Sequence, residues 1–548
     1  LIRDFFRTIR SYSFPEKAVS VFLSLLLVFS IYGGFFSSSN VTSKDTYVEG
    51  TVGKIMVLNP LYSDYSDLDR DVTSLLFSGL MKYDSEKGKM TEDLAKVAIS
   101  SDEMLYTFTL RDNALFHNGD PVTADDVYYT YHDVIQSPDF SNAVLTANFQ
   151  GVEIAKKNSK TIEFRLAQPN SFFLTNLSVG ILPSKIYKDV AVADLLMSNI
   201  NKNPVGSGPY QIDSSYTLNS RGDGKITLKR FQKYYGGLPK VNTIVYRTFS
   251  TVDRMLDAKD DLDAMPKLGG ELLAKLEGSK FTPVNYTLPQ YKAAFFNMNS
   301  LITGVKAVRL AMLKSVDKDA LMSIVAGKTP VDTPFMELNQ GDWVYKSDIE
   351  EARGSLYDAG YRYPDGEKSG FRKTKKGNPM VIRLAYFEKG EKARGDSEDA
   401  TIAEFLKKSW EAIGIQVELY PVTPDIRTDF LQKRDYDVLL AGESMGYDLD
   451  TYSFWHSSQA TGDGSNLSNY KNFSADALIE DIRNHLDDDR KATRLKQLAK
   501  LVKDDIPALF LFRPQYIYAT DVKFQGVNLS KAAFSSDRFY NVQGWNSK

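Results

Sequence analysis

Histidine is the side chain best suited to moving protons near neutral pH or to holding zinc, and this chain has four, at 117, 132, 456 and 485. No two of them have the short spacing that sets a pair of imidazoles on one ion, so they read as isolated surface or core histidines. Cysteine is absent, which excludes a thiol nucleophile, a disulfide framework, a Cys-ligated metal and a lipid on an N-terminal cysteine. Serine and acidic residues are plentiful, but no H-E-x-x-H occurs and no G-x-S-x-G or S-x-x-K comes with its partner residues. A nucleophile without an oriented base is not a catalytic hypothesis. The residue types therefore point away from an enzyme, and they call for no metal and no cofactor.

What remains is binding. The chain has 548 residues, enough for two or three compact units, with 43% hydrophobic and 25% charged residues. Aromatics make up 12%, including 31 Tyr and 32 Phe, a generous share that serves either a core or a ligand cleft. The 67 basic and 70 acidic residues are interspersed, for a net charge of −3. No basic stripe is present to neutralise a run of phosphates, so nucleic acid is not an expected partner.

Residues 18–36, AVSVFLSLLLVFSIYGGFF, run without a charge, and a helix rising about 1.5 Å per residue makes that stretch nearly long enough for a bilayer core of roughly 30 Å. Arg3, Arg7, Arg10 and Lys17 precede it and a Ser-rich stretch follows, which leaves residues 1–17 in the cytoplasm and exports the rest. We read 18–36 as a transmembrane anchor in preference to a cleaved signal, because its apolar stretch exceeds the usual roughly 7–15 residues. Ser37–Ser39 keep cleavage open, and a buried core helix is the third reading. Residues 37–45 then form a flexible tether.

Beyond the tether, Leu105–Leu110, Thr161–Leu166, Lys225–Arg230 and Val381–Tyr386 read as strands. Ala124–Ile135 reads as a helix capped by Thr123, with Asp126 at the third helical position. Asp399–Ile413 reads as a helix with Ile402, Phe405, Leu406 and Trp410 on one face. Gly and Pro clusters at 203–209, 235–239 and 363–370 mark tight turns. Strands and helices alternate throughout, which predicts α/β lobes.

Several stretches carry a family pattern. Leu58–Asp84 is LNPLYSDYSDLDRDVTSLLFSGLMKYD, and Glu92–Ile135 contains the turn His117-Asn118-Gly119 followed by Pro-Val-Thr-Ala-Asp-Asp-Val. Pro204–Tyr210 reads P-x-G-x-G-P-Y, and Leu228–Arg247 matches N-x-x-Y-W-x-G-x-P, with Tyr235 in place of the Trp. Tyr286–Ser300 carries an F-N pair ending at Asn297, Val308–Met322 fits an R-x-A helix with Asp317, and Trp455–Asn472 is followed by the helix Ala475–Ile482. Together these resemble the extracellular solute-binding proteins of ABC transporters, family 5, in the branch that binds oligopeptides, dipeptides or nickel. The resemblance covers roughly nine-tenths of the chain.

The resemblance implies a two-lobed periplasmic-binding-protein-like fold (type II, cluster C), with an extra subdomain inserted into lobe I. Its boundaries fall at 46–75, 200–290 and 505–548 for lobe I, 76–199 for the insert and 291–504 for lobe II. It implies a receptor that captures a peptide by lobe closure and delivers it to an ABC permease and ATPase, with its body on the extracytoplasmic side. The family's amino-group anchor lies in a loop that here reads Gly446-Tyr447-Asp448-Leu449-Asp450-Thr451-Tyr452-Ser453-Phe454. Asp448 is the nearest match to that anchor, although an ungapped alignment sets Tyr447 in its place and Thr451 in place of the family's Pro. Asp448 and Asp450 equally suit solvated loop carboxylates. Trp455 as a stacking wall, with Tyr291, Asn297 and Asn466, completes the implied ligand-binding set. A membrane-tethered solute sensor or chaperone of the same fold stays open, as does a binder of a nickel complex, sugar or opine.

Overall fold

A computed structural model describes residues 45–548 except 326–327, 336–337, 339–343, 365–368, 375, 389–396, 448–449, 463, 485–487 and 548. The expected anchor at 18–36 and its cytoplasmic flank lie outside the described residues, as does the tether up to 44. Among the described residues, no helix is long and apolar enough to cross a membrane.

Period-two alternation builds the strands. In Leu105–Leu110, Tyr106, Phe108 and Leu110 are buried while their neighbours are not. This strand is flanked by Ala95–Ile99 and Thr161–Arg165, and Glu153–Lys156 completes an antiparallel four-stranded sheet. The capped helix begins at Ala124 as expected: Thr123 donates both its backbone N–H (2.9 Å) and its hydroxyl (2.8 Å) to Asp126. It does not stay α-helical to Ile135. Regular α geometry ends at Tyr128, and Tyr129–Ile135 winds as a wider π turn. The Thr130 hydroxyl at this junction donates to the Asp126 carbonyl (2.8 Å) and accepts from the Leu182 N–H (3.0 Å), a bond from outside the helix.

The main sheet runs through the body. From one edge its strands are Gln416–Val422, Val381–Phe387, Val438–Ser444, Gln290–Phe296, Ala508–Asp521, Ala264–Leu268, Thr46–Val52, Thr243–Phe249, Gly224–Arg230 and Tyr210–Leu218. Ala508–Asp521 joins the two halves. Its first residues pair with Gln290–Phe296, and its later ones pair with Phe281–Thr287 and Ala264–Leu268. Cores lie to either side of this crossing. One gathers Tyr47, Leu75, Phe108, Tyr246 and Trp545, with a smaller group around Met265 and Ile517. The other is formed by Ala294, Val308, Trp410 and Leu509 on one face of the sheet and by Tyr291, Phe295, Leu439, Trp455 and Phe510 on the opposite face. The result is a two-lobed α/β body, and we call the lobes first and second in that order.

Two family-like stretches have clear physical roles. Gly206 and Gly208 lie against the end of helix Asp67–Leu76, where an added Cβ would come within 1.9 Å of the Leu76 oxygen and 2.4 Å of the Leu75 oxygen. Only glycine admits that approach, which lets the Gly208 N–H reach the Leu76 carbonyl at 2.9 Å. His117 braces the same loop, accepting from the Gly206 N–H at Nδ1 (3.2 Å) and donating from Nε2 to the Gly208 carbonyl (3.1 Å). Burial lowers its pKa to about 4, so the ring works there as a neutral strut.

In the second lobe, Arg309 fans its guanidinium over the carbonyls of Thr303, Gly304, Asp505 and Ile506 at 2.7–3.2 Å. This ties helix Lys306–Lys314 to the chain entering the crossing strand. In the first lobe, Arg538 is fully buried and meets Asp71 through two parallel bonds (2.9 and 2.7 Å) as well as Glu49. One cation thus holds the C-terminal segment to both helix Asp67–Leu76 and strand Thr46–Val52.

Candidate functional site

A cavity of about 690 Å³ opens between the lobes. The first lobe contributes Arg70 from helix Asp67–Leu76 together with Leu145, Asn176, Val179 and Phe534, and the second contributes Arg427, Arg434, Glu443, Ser444, Tyr447 and Asp450. Two direct contacts between the lobes flank it. At one side Ser171 donates its N–H to the Arg483 carbonyl (2.7 Å), while Phe172 packs into the second lobe's core. At the other, Tyr447 leaves the second lobe and inserts into the first. Its ring stacks on Tyr83 (centroids 4.3 Å apart) and meets Phe534 edge-on (5.0 Å), and its hydroxyl donates to Asp537 Oδ1 at 3.0 Å.

Tyr447 also walls off two smaller cavities of about 130 and 140 Å³. Burial pushes the Asp537 carboxyl up to about 6, although the N–H groups of Ala533 and Phe534 and the Tyr447 hydroxyl all favour its ionised form.

The expected site residues divide. Tyr447 and Asp450 line the cavity, Asp448 lies outside the described residues, and Tyr291, Asn297, Trp455 and Asn466 are buried behind the wall and are not part of the lining. Asn466 works within the backbone, donating to the carbonyls of His456 and Tyr470 and accepting from the Tyr470 N–H. Asn297 donates to the Tyr436 carbonyl (2.8 Å) and accepts from Asn469 (2.8 Å). Trp455 packs among Phe295, Tyr470 and Phe510. Asp450 pairs with Arg483 (2.9 Å), which neutralises its charge.

Sequence reasoning missed Glu443. Strand Val438–Ser444 turns Leu439, Ala441 and Glu443 to one face, so an acid stands at the end of an inward-facing apolar row. That alternation is the signal that could have found it. Glu443 accepts a hydrogen bond from the Tyr291 hydroxyl on the neighbouring strand, and its other oxygen, Oε1, has no partner. Burial pushes its pKa up to about 8, against the pull of the Tyr291 bond. Ser444 Oγ and Arg434 Nε, also in the lining, are likewise buried without partners. Buried polar atoms are nearly always satisfied, so these three are exceptions on residues of the cavity wall.

Gly442-Glu443-Ser444-Met445-Gly446 does have the G-x-S-x-G spacing. A nucleophile elbow needs its serine in a strand-to-helix turn with a histidine as base. Ser444 instead ends a strand paired to Gln290, and His456 is bonded to Ser458 and Glu480. The pentapeptide supplies lining here. Among the described residues, no group of three or more His, Asp or Glu side chains is placed to hold a metal ion.

Residues 89–465 match the family model for bacterial extracellular solute-binding proteins, family 5 Middle. The oligopeptide-binding protein AppA of Bacillus subtilis (strain 168) is 26% identical over 97% of this chain and 99% of its own length. The nickel-binding protein NikA of Staphylococcus aureus is 22% identical over 81% of this chain and 85% of its own. The structure of the Bacillus subtilis AppA in complex with a nonapeptide superposes with a TM-score of 0.76 and 23% identity, covering 92% of this chain and 99% of that one.

Proposed function

Because the chain belongs to the bacterial extracellular solute-binding proteins of family 5, we propose that it is the receptor of an ABC importer, capturing peptides between its lobes and delivering them to a permease and ATPase. The observation that carries this reading is the cavity of about 690 Å³ between the lobes, with guanidinium groups, carboxyls and unpartnered polar atoms on its walls. That volume falls within the roughly 300–1,000 Å³ typical of small-ligand sites. A peptide supplies both charge signs and a row of amide donors and acceptors to match such a lining, and similarity to a peptide-binding protein along nearly its whole length supports the same choice. The role is binding and release, with no chemistry on the solute.

In this reading the first lobe comprises residues 46–75, 200–290 and 505–548 with a subdomain inserted at 76–199, and the second comprises 291–504. The crossing strands Gln290–Phe296 and Ala508–Asp521 act as the hinge about which the lobes close. Residues 18–36 hold the body on the extracytoplasmic face as an anchor or export it as a signal. Asp448, Tyr447 and Asp450 lie next to the bound solute, and Trp455, Tyr291, Asn466 and Asn297 support the wall behind it.

A thermal-shift screen of the full chain against di-, tri- and longer peptides, sugars and nickel complexes tests the proposal. A ligand at about 100 times its Kd stabilises by roughly 2.7 kcal/mol. Peptides are expected to raise the melting temperature. A shift from a sugar or a nickel complex with none from any peptide would retain the receptor role and reject the peptide.

A further inference from the structure

We infer that the solute site continues beyond the main cavity into a second interlobe cavity of about 260 Å³, which takes an uncharged stretch of a longer peptide. The inference rests on the peptide-receptor reading and adds the length and polarity of the peptides that fit.

The two cavities have a common border. Helix Ala143–Phe149 of the first lobe lines the main cavity with Val144, Leu145 and Asn148 and the side cavity with Ala147 and Asn148, so Asn148 belongs to both. On the second lobe, helix Tyr452–Trp455 gives Ser453 and Phe454 to the main cavity and Tyr452 to the side cavity. Asp450 lines the first and Arg483 the second, and the two are joined by bonds of 2.9 and 3.0 Å. Tyr452 supports this pair, with the Arg483 guanidinium 4.2 Å from the centre of its ring. The partition between the cavities is thus an ion pair carried by one lobe, and Asn148 faces the passage from the other. The lobes meet again at the side cavity itself. There the Ser171 N–H reaches the Arg483 carbonyl (2.7 Å), and the Asn484 amide donates to Gln168 (3.3 Å). A segment lying in this cavity is held by the same contacts that keep the lobes closed.

The chemistry of the lining selects what enters. Asn148, Gln150, Gln168, Asn170 and Asn484 supply amide groups, each able to donate and to accept, as every peptide group of a solute also does. Charge in the lining is matched within the protein. Arg483 is neutralised by Asp450, and Glu480 Oε1 stands 3.3 Å from His456 Nε2. A charged side chain moved here from water would pay for desolvation without a free counter-charge, whereas a neutral polar segment exchanges its water bonds for amide bonds. The main cavity, by contrast, has Arg70, Arg427 and Arg434 in its lining. Gln150, Ala167 and Gln168 are exposed at the rim of the side cavity, which leaves a longer chain a way out to solvent.

The test is calorimetry on the full chain with alanine–serine peptides from di- to nonapeptide, joined to photo-crosslinking with a benzophenone side chain moved along the nonapeptide. Lengthening beyond what the main cavity holds should raise affinity on the order of tenfold. Ala167→Trp and Gln150→Trp each place an indole in the side cavity from an exposed position. Both should remove that gain and leave the shortest peptides unchanged. A benzophenone near one end should label residues 166–170 or 480–484, and one near the other end residues 442–447. Whichever end labels the side cavity, the continuation is supported and the direction of the peptide is assigned. At that labelling position asparagine should be accepted as well as serine, and lysine or glutamate should weaken binding on the order of tenfold.

Affinity that does not rise with length, a gain that survives both tryptophan substitutions, or crosslinks confined to residues of the main cavity would overturn the continuation and leave the peptide receptor standing. Equal binding with lysine and serine at the labelled position would overturn the stated polarity. Absence of binding by every peptide would reject both the continuation and the reading on which it rests.

Discussion

Replacing Arg538 by alanine is expected to cost about 3–5 kcal/mol of stability, the range for removing one partner from a buried ion cluster. Arg538 is fully buried with Glu49 and pairs with the largely buried Asp71, and the Tyr47 hydroxyl donates to Glu49 at 2.7 Å. Burial already pushes Asp71 up to about 6 with the guanidinium in place. Without Arg538 the Asp71 carboxyl loses the cation that opposes the effect of its burial and resists ionisation more strongly, so the folded form holds a proton that the unfolded chain gives up. A carboxyl raised in this way favours the folded state at low pH and disfavours it as pH rises through the folded value. The variant should therefore recover part of its loss between pH 7.5 and pH 5.5. Urea unfolding at the two pH values is the measurement, and an unchanged midpoint at pH 7.5 would contradict the account.

The second large effect is expected at Tyr447. Its two aromatic contacts contribute about 0.5–1.5 kcal/mol each and its bond to a buried carboxyl about 1.5–3, all of it between lobes. Tyr447→Ala should tip the balance toward the open form by about 3 kcal/mol, weakening peptide binding on the order of a hundredfold. Tyr447→Phe keeps the rings and loses only the hydrogen bond, for roughly tenfold. The alanine variant also joins the main cavity to the two beside it, so the loss should be smallest for the bulkiest peptides. Titration calorimetry with peptides of graded length checks both expectations. Equal affinities in wild type and Tyr447→Ala would mean that closure does not depend on this contact.

The fold was legible wherever local physics governs. The cap at Thr123, the hairpin turn at Asn118-Gly119 and the glycines of Pro204–Tyr210 each act within a few residues or against one neighbouring helix. The wide turn at Tyr129–Ile135 was not legible, because it coincides with a bond from Leu182, a residue distant in sequence. The same limit governs the site. The acidic loop drew notice as a motif, yet the position of Tyr447 depends on Asp537 and Tyr83, and Arg538 meets Glu49 across 489 residues. Glu443 lay between these cases. Its place in the strand alternation was readable, but its buried, half-satisfied state required knowing what stands on the opposite strand.

Native mass spectrometry of the full chain, titrated with a pool of di- to nonapeptides and then with a sugar and a nickel complex, tests the central claim most directly. The account predicts one peptide bound per chain, with saturation and competition among peptides. Masses that shift only with the sugar or the nickel complex, and never with a peptide, would contradict it.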